Sequence, residues 1–202
     1  MPRINAATVD EHRASTRRAL LEAAHDLFGR LGYSETTLGD LADHAGIGRT
    51  TFYDYFSGKD DLLAALVEES LPEVFERLVA GIPRSLSARE QVGALVVAMI
   101  EFVVTDPVFG LRLHTEVPGL TSEAQRRIGA THQGLIAEFG RIYQEGVAGG
   151  EFRDLPIDLA GHLMLDVVMS GARTVLGSPD PKQRFHDVAD ETARFLQNGL
   201  RR

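Results

Sequence analysis

The chain has 202 residues, of which 44% are hydrophobic and 25% are charged, as expected for a soluble globular protein of one domain or two small ones. It contains no cysteine, which excludes disulfides and thiolate metal sites. The formal net charge of -8 argues against non-specific nucleic-acid binding by the chain as a whole, since a basic surface is the expected sign of such binding.

Apolar residues recur at helical spacing along the chain and predict an all-α fold of about nine helices. The first helix is predicted to end at Gly32. Thr37 is placed to cap the second helix, with Asp40 in the position that completes a capping box. Gly46 permits the next turn, and Gly48 is the predicted N-cap of the third helix.

The later helices follow from periodicity and from proline and glycine near their ends. A fourth helix is expected to begin at Lys59 and to run to about Val79, with a kink or a break at Pro72. The further predicted helices are roughly Ala88 to Thr105, Pro107 to Glu116, Ser122 to Ala148, Pro156 to Leu176 and Pro181 to Asn198.

The hydropathy pattern does not predict a membrane span or an export signal. The longest apolar run, Val92 to Val104, is interrupted by Gly93 and Glu101 and is too short to cross a bilayer. The N-terminus lacks the apolar core of a signal peptide. We therefore expect a cytoplasmic protein without a membrane partner.

The third predicted helix carries side chains suited to DNA contact. Phe52 and Phe56 define its inner face, so a segment about 10 Å long, Arg49 to Tyr55, can present its other side to a major groove. Arg49 can pair bidentately with guanine or with a phosphate. Further candidates for base or phosphate contacts are Thr50, Thr51, Tyr53, Tyr55 and Lys59.

The run TTLGDLADHAGIGRTTFYDYFSGKDDLL, preceded by ALLEAAHDLFGRLGY, resembles the N-terminal DNA-binding region of TetR-family transcriptional regulators over about Ser15 to Leu66. The resemblance implies a DNA-binding domain at residues 1–58, with the helix-turn-helix at about 36–56, and a ligand-binding and dimerisation domain at residues 59–202. It also implies a homodimer that binds a palindromic double-stranded operator, usually as a repressor, and that a small molecule releases. No enzyme activity and no cofactor are expected.

Carried over by position, the resemblance assigns the DNA-facing residues Thr36, Thr37, Gly48, Arg49, Thr50, Thr51, Tyr53, Tyr55 and Lys59. The chain departs from the family pattern at Gly48, Thr50 and Asp54. Asp54 is interpreted as solvent-facing or paired with a cation rather than as a base contact. From Met1 to Leu62 the chain has seven Arg or Lys and ten Asp or Glu, a net charge of -3, so DNA affinity must depend on local placement of a few cations.

A helical domain that senses a ligand needs an apolar cavity with a few polar groups. The candidate pocket residues are Met99, Phe102, Phe109, Leu113, His114, His132, His162, Asp166 and Met169. Ordinary core packing is the simpler interpretation for each apolar member. His162 and Asp166 lie four apart and are interpreted as a hydrogen-bonded pair or as exposed residues, in preference to metal ligands, because no third ligand is defined.

The last two helices are predicted to form the homodimer. Each carries an apolar stripe, so two helices from each subunit would make a four-helix interface with two-fold symmetry. Packing inside the protomer is the alternative, and partial use of both is favoured. The residues of the two stripes are Leu159, Leu163, Val167, Ser170, Gly171, Val188, Thr192, Phe195 and Leu196.

Two other classes of function remain open from the sequence. One is a helical small-molecule binding protein or enzyme in which the helix-turn-helix is incidental, although no catalytic motif with supporting context is present. The other is an activator, or a protein that has lost DNA binding and acts through protein contacts.

Overall fold

This computed structural model of the protein describes the backbone of residues 6–106 and 108–202, and the side chains of residues 9–202 except 107, 111, 112 and 114. The predicted all-α fold is confirmed: the described part of the chain has ten α-helices and no β-strand apart from one isolated bridge between Phe152 and Arg201. The α-helices are α1 (Ala6–Arg30), α2 (Leu38–His44), α3 (Arg49–Phe52), α4 (Lys59–Ala80), α5 (Ala88–Thr105), α6 (Leu113–Glu116), α7 (Ser122–Thr131), α8 (Gln133–Ala148), α9 (Ile157–Leu176) and α10 (Pro181–Leu200).

The chain divides into two compact units. The N-terminal unit comprises residues 1–70 and 115–128, and the C-terminal unit comprises residues 71–114 and 129–202. The division differs from the predicted boundary after residue 58, because the N-terminal unit also includes the first part of α4 and the segment 115–128, whose Thr121 and Arg127 bind Asp60 and Glu68 of α4. A segment far along the sequence is thus part of the unit that carries the helix-turn-helix.

In the N-terminal unit, the predicted local signals form the predicted turns. The Thr37 hydroxyl accepts from the Asp40 backbone N–H, and the Asp40 carboxylate accepts from the Thr37 backbone N–H, which completes the capping box. Gly32 and Gly46 have φ values of 93° and 69°. Gly48 has extended φ and ψ and is the N-cap of α3, without a side-chain cap.

Replacing Gly46 by alanine should destabilise the protein by about 1–2 kcal/mol, because an L-residue is strained at positive φ. No heavy atom lies within 4 Å of a Cβ built at Gly46, so backbone strain is the only expected cost. Gly39→Ala is the matched control in α2, where the new Cβ has an ordinary 3.5 Å contact and should stabilise the helix by about 0.5–1 kcal/mol. Urea unfolding measures both, and equal effects would contradict this account of the turn.

In the C-terminal unit, α5 is the central helix and packs against α8, α9 and α10. Its fully buried residues include Val92, Leu95, Val96 and Ile100. Gly171 allows close approach of the neighbouring helices, since a Cβ there would lie 2.7 Å from the Thr192 hydroxyl oxygen. Helix α9 is the one described helix long and apolar enough to span a membrane by length and composition, a property that core helices of soluble proteins share.

Two predicted helices differ from the structure, and a third lacks a predicted break. Helix α4 continues through Pro72 to Ala80, so of the predicted kink or break at Pro72 the break is absent. The predicted helix from Ser122 to Ala148 is divided at His132, where the poor helix formers Gly129, Thr131 and Gly134 cluster.

The segment predicted as a helix from Pro107 begins instead with a π-helix, Val108–Arg112. The Asp106 carboxylate accepts from the backbone N–H of Val108 and of Phe109, at 3.2 and 3.3 Å, and holds the start of this turn. Gly110 lies so close to α5 that a Cβ would be 2.7 Å from the Val103 Cα. This close approach of Gly110 to α5 requires glycine. Single π-helical turns often occur at functional sites.

Candidate nucleic-acid interface and effector region

The recognition segment, residues 49–56, consists of the short helix α3 and the turn that follows it. Helix α3 ends at Phe52, and the turn that follows is closed by the Phe56 N–H, which donates to the Phe52 carbonyl at 3.1 Å. Phe52 and Phe56 are buried, with ring centroids 6.0 Å apart. This inner face fixes the helix against the unit and leaves its other side at the surface.

Most of the predicted DNA-facing residues lie at the surface of the N-terminal unit. Tyr53 has an exposed fraction of 54%, and its ring contacts Phe52 edge-on at 5.7 Å. The exposed residues are Thr37, Gly48, Arg49, Thr50 and Tyr53, and the half-buried ones are Thr51, Tyr55 and Lys59. These assignments stay predictions, but the surface that they require is present.

Thr36 is the exception, because its side chain is only 1% exposed. Its hydroxyl donates to the Gly32 carbonyl at 2.7 Å, at the end of α1. The hydroxyl therefore stabilises the connection between α1 and α2 and is not available to DNA. We correct its assignment from a DNA contact to a structural residue.

The Lys59 side chain also forms hydrogen bonds within the N-terminal unit. Its ammonium group donates to the carbonyls of Tyr33, at 2.6 Å, and Thr36, at 3.0 Å, and lies 4.3 Å from the centroid of the Tyr33 ring. These carbonyls belong to the connection between α1 and α2. Lys59 therefore ties that connection to the start of α4, and a phosphate contact would have to be added to these bonds.

The arginines of the N-terminal unit differ in whether a carboxylate pairs with them. Arg17 pairs with Glu69 on α4, and Arg30 pairs with Asp26 at 3.0 Å. Arg13 lies over the Tyr55 ring at 5.8 Å. Within the described part of the chain, the exposed residues Arg18 and Arg49 make no ion pair. Arg13, Arg18 and Arg49 are therefore the cations of this unit best placed to meet phosphates or bases, despite its net negative charge.

A polar network that the sequence did not predict joins α7 to the start of α4. The Arg127 guanidinium donates twice to the Glu68 carboxylate, at 2.8 and 2.5 Å, and once to Asp61 at 2.7 Å. The other Asp61 oxygen accepts from the Ser57 N–H at 2.8 Å, just after the recognition segment. Arg127 and Asp61 thus connect α7 to the turn that follows the recognition segment.

A second branch of the network runs through Asp60. One Asp60 oxygen accepts from the Thr121 N–H at 2.7 Å, just before α7, and the other accepts from the Tyr33 hydroxyl. Burial raises the pKa of Asp60, but the hydrogen bonds from Tyr33 and Thr121, together with the Lys59 charge, outweigh it and hold the pKa below its usual value. The signal in the sequence, two adjacent aspartates at residues 60 and 61, could not reveal which distant residues they bind.

These lowered pKa values predict a loss of stability in acid. The hydrogen bonds from Arg127 lower the pKa of the Glu68 carboxyl, and for Asp61 the bonds from Ser57 and Arg127 outweigh a burial effect that raises its pKa. A carboxyl with a lowered folded-state pKa stabilises the fold above its unfolded pKa, about 4, and loses that contribution as pH falls through the folded value. Urea midpoints should therefore fall between about pH 5 and pH 2.

Arg127→Met should flatten this pH dependence, because it removes the main partner of the Glu68 carboxylate and one of the partners of the Asp61 carboxylate. Arg126→Met is the matched control on the same helix, since Arg126 pairs only with Glu123 among the described residues and both side chains are exposed. The control should keep the wild-type pH profile. Equal flattening in both variants would refute the role assigned to Arg127.

The candidate effector residues in the C-terminal unit differ in how deeply they are buried. Met99, Phe109, Leu113 and Met169 are buried. Phe102 and His132 are half-buried and meet at Phe75, whose ring centroid lies 6.1 Å from Phe102 and 5.2 Å from His132. Phe75 is an addition to the predicted set, and its helical spacing four residues after Leu71 is the signal that marks its buried position.

Two of the predicted pocket residues lie elsewhere. His162 and Asp166 are both exposed on α9, so they do not line the interior of their own protomer. This corrects their assignment to the pocket and agrees with the interpretation of the pair as exposed residues. The His114 side chain lies outside the described residues. No group of three or more His, Asp or Glu side chains in the described part could hold a metal ion.

The exposed sides of α9 and α10 are apolar in part. Leu159, Leu163 and Phe195 have exposed fractions of 45%, 42% and 69%. Of the other residues of the predicted stripes, Ser170 is exposed, Val167, Val188 and Thr192 are half-buried, and Gly171 and Leu196 are buried. Each helix thus packs one side in the protomer, while α9 leaves Leu159 and Leu163 uncovered and α10 leaves Phe195 uncovered.

Comparisons with known proteins agree with this architecture. Residues 20–66 match the family described as "Bacterial regulatory proteins, tetR family", and residues 85–173 match the family described as "Tetracyclin repressor-like, C-terminal domain". The fatty acid metabolism regulator protein of Bacillus subtilis is 23% identical over 90% of this chain and 93% of its own length. The transcriptional repressor KstR2 of Mycolicibacterium smegmatis is 28% identical over 79% of each chain.

Solved structures show the same fold. The regulator FadR from Bacillus subtilis, in complex with stearoyl-CoA, superposes with a TM-score of 0.75 at 21% identity, over 91% of this chain and 98% of FadR. A TetR/AcrR-family regulator from Thermobifida fusca gives a TM-score of 0.65 at 28% identity, over 92% of this chain and 98% of that chain.

The fold and the exposed recognition segment define a helix-turn-helix DNA-binding protein. The chain belongs to the TetR family of bacterial transcriptional regulators and is a ligand-responsive DNA-binding regulator. This finding favours the regulator over the helical enzyme that the sequence left open.

Proposed function

We propose that this protein is a cytoplasmic repressor that binds a palindromic operator as a homodimer and leaves it when a small molecule binds the C-terminal unit. It acts by binding and not by catalysis. The observation that carries the proposal is the recognition segment: Phe52 and Phe56 bury its inner side, while Arg49, Thr50 and Tyr53 are exposed on it. A palindrome follows from two-fold symmetry, since a dimer presents two copies of this segment.

The uncovered apolar side of α9 and α10 supports the homodimer. Leu159, Leu163 and Phe195 are large side chains whose exposure to water is unfavourable, and a second copy of the same two helices would cover them. An interface formed by the same surface on both subunits has two-fold symmetry. The buried inner sides of α9 and α10 keep the helices in place before the subunits meet.

The interior of the C-terminal unit supports an apolar effector. Met99, Met164 and Met169 are buried in this unit, as is Phe109, and methionine side chains adapt to apolar guests of irregular shape. The structural relative FadR was solved with stearoyl-CoA. We therefore propose a long-chain acyl thioester as the effector class.

The test begins with selection of bound duplexes from a randomised DNA library, using the full-length protein. Enrichment of a palindrome, followed by anisotropy titration of the selected duplex, should show sequence-specific binding that weakens with added salt. Failure to enrich any sequence, with properly folded protein, would overturn DNA-binding function.

The effector class is tested on the same duplex. Stearoyl-CoA should release the DNA and raise the thermal midpoint of the protein, whereas free coenzyme A should do neither. Release by both compounds, or by neither, would refute an acyl-chain effector without affecting the operator result.

A further inference from the structure

Asp54 lies at the centre of the exposed side of the recognition segment. Helix α3 ends at Phe52, and Asp54 lies in the turn that follows, where its N–H donates to the Thr51 carbonyl at 3.1 Å. Asp54 and its neighbour Tyr53 are exposed, whereas Phe52 and Phe56, which flank this turn, are buried. The Asp54 carboxylate therefore lies on the surface that the recognition segment presents.

Asp54 differs from several neighbouring acids in having no partner. Asp40 completes a helix cap, Asp61 binds Arg127 and Ser57, and Asp26 pairs with Arg30. Within the described residues, the exposed Asp54 side chain makes neither an ion pair nor a side-chain hydrogen bond. This agrees with the solvent-facing alternative of the sequence interpretation and not with cation pairing, and it leaves the carboxylate free to accept hydrogen bonds from another molecule.

We propose that Asp54 is a specificity-determining residue that accepts a hydrogen bond from the exocyclic amino group of a base in the operator major groove, with cytosine N4 as the preferred donor. An ionised carboxylate only accepts hydrogen bonds, so it requires a donor. Cytosine N4 and adenine N6 are the amino donors of the major groove, whereas guanine O6 and N7 and thymine O4 are acceptors that would repel it.

The proposed contact also explains how a negative charge can be placed among phosphates. Asp54 and a phosphate repel each other at every sequence, and only a site with an amino group at the facing position offsets this repulsion. Arg49 has the opposite preference, since its guanidinium donates to the guanine acceptors. Arg49 and Asp54 together would therefore distinguish the two bases of a G·C pair or of neighbouring pairs. This inference rests on the proposed operator binding.

The experiment compares the wild type with Asp54→Ala and Asp54→Asn on the duplex selected by the wild-type protein and on variants with every base pair replaced in turn. For the wild type, one position in each half-site should require cytosine, with a loss of roughly 5–150-fold for guanine or thymine. Adenine at that position should be tolerated better, because it keeps an amino group.

Asp54→Ala should lose discrimination at that position alone and should bind unrelated DNA more tightly, because a repulsive charge is removed. Asp54→Asn should shift the preference toward adenine, which pairs bidentately with a carboxamide. Glu76→Ala, in the C-terminal unit, removes an equal charge from an exposed helical site and should leave all preferences unchanged.

Two outcomes separate this inference from the proposed function. Absence of any specific binding by the wild type would refute the function itself. Specific wild-type binding, with Asp54→Ala tighter by the same factor on every duplex, would show that Asp54 only repels phosphates and would overturn the inference.

Discussion

Replacing Phe52 by alanine is expected to destabilise the protein by about 3–5 kcal/mol. Molecules in which the N-terminal unit is unfolded by this change should not bind the operator. The Phe52 side chain has no exposed surface, and its ring packs against Phe56 and Tyr53. Its loss leaves a cavity beneath the recognition segment. Urea unfolding followed by circular dichroism measures the stability, and anisotropy with the selected duplex measures the binding.

Tyr53→Phe is the control for this substitution. It keeps the ring and removes only a hydroxyl on an exposed side chain, so stability should change by less than about 0.5 kcal/mol. DNA affinity should fall evenly across sequences if the hydroxyl contacts phosphate. If Phe52→Ala were as stable as the wild type, the buried inner face would not hold the recognition segment as described.

Replacing Phe195 by aspartate is expected to convert the dimer into a monomer and to weaken operator binding by about 10²–10⁴-fold. The charge would lie within the apolar side of α9 and α10 that we propose the partner covers, where an unpaired carboxylate is strongly disfavoured. A monomer also loses the second recognition segment and the gain from simultaneous binding at two half-sites. Analytical ultracentrifugation and anisotropy measure the two effects.

Ile136→Asp is the matched control, since Ile136 is an exposed apolar residue on α8 with an exposed fraction of 64%. It lies outside the predicted interface and should leave both the assembly and the affinity unchanged. A monomer produced by Ile136→Asp but not by Phe195→Asp would place the interface elsewhere.

The parts of the fold that the sequence predicted depend on short-range signals. Thr37 and Asp40 form the capping box because both partners lie within one turn, and Gly32 and Gly46 take positive φ because few other residues do so without strain. The buried side of α3 was predicted from two phenylalanines four residues apart. These local signals also carry the resemblance to the TetR family, which the comparisons confirmed.

The parts that the sequence did not predict depend on tertiary contacts. Arg127 lies 59 residues from Glu68 in the chain, and nothing local links them. Thr36 and Lys59 were placed at the DNA surface by position, but Thr36 is buried and Lys59 binds carbonyls of the connection between α1 and α2. The π-helix before α6 likewise depends on the close approach of Gly110 to α5.

The effector region was predicted less well than the recognition segment. Apolar periodicity marks Met99 and Met169 as buried but does not distinguish a pocket wall from ordinary core. A helical spacing of four could place His162 and Asp166 together, but it could not decide whether their shared side turns inward or outward. In the structure that side is exposed, next to the apolar side chains that we assign to the dimer.

The most direct test of the account is the salt dependence of binding to the selected palindromic duplex, for the wild type and for Arg49→Ala. With Arg49 bound to a base, the two remaining arginines without an ion pair among the described residues of each N-terminal unit, Arg13 and Arg18, predict roughly four phosphate contacts per dimer and a slope of log K against log salt of about -4. Arg49→Ala should bind more weakly, with a loss of base discrimination. A slope near zero for the wild type, or unchanged affinity and base preference in Arg49→Ala, would contradict the central claim that a few placed residues give this acidic unit its DNA affinity.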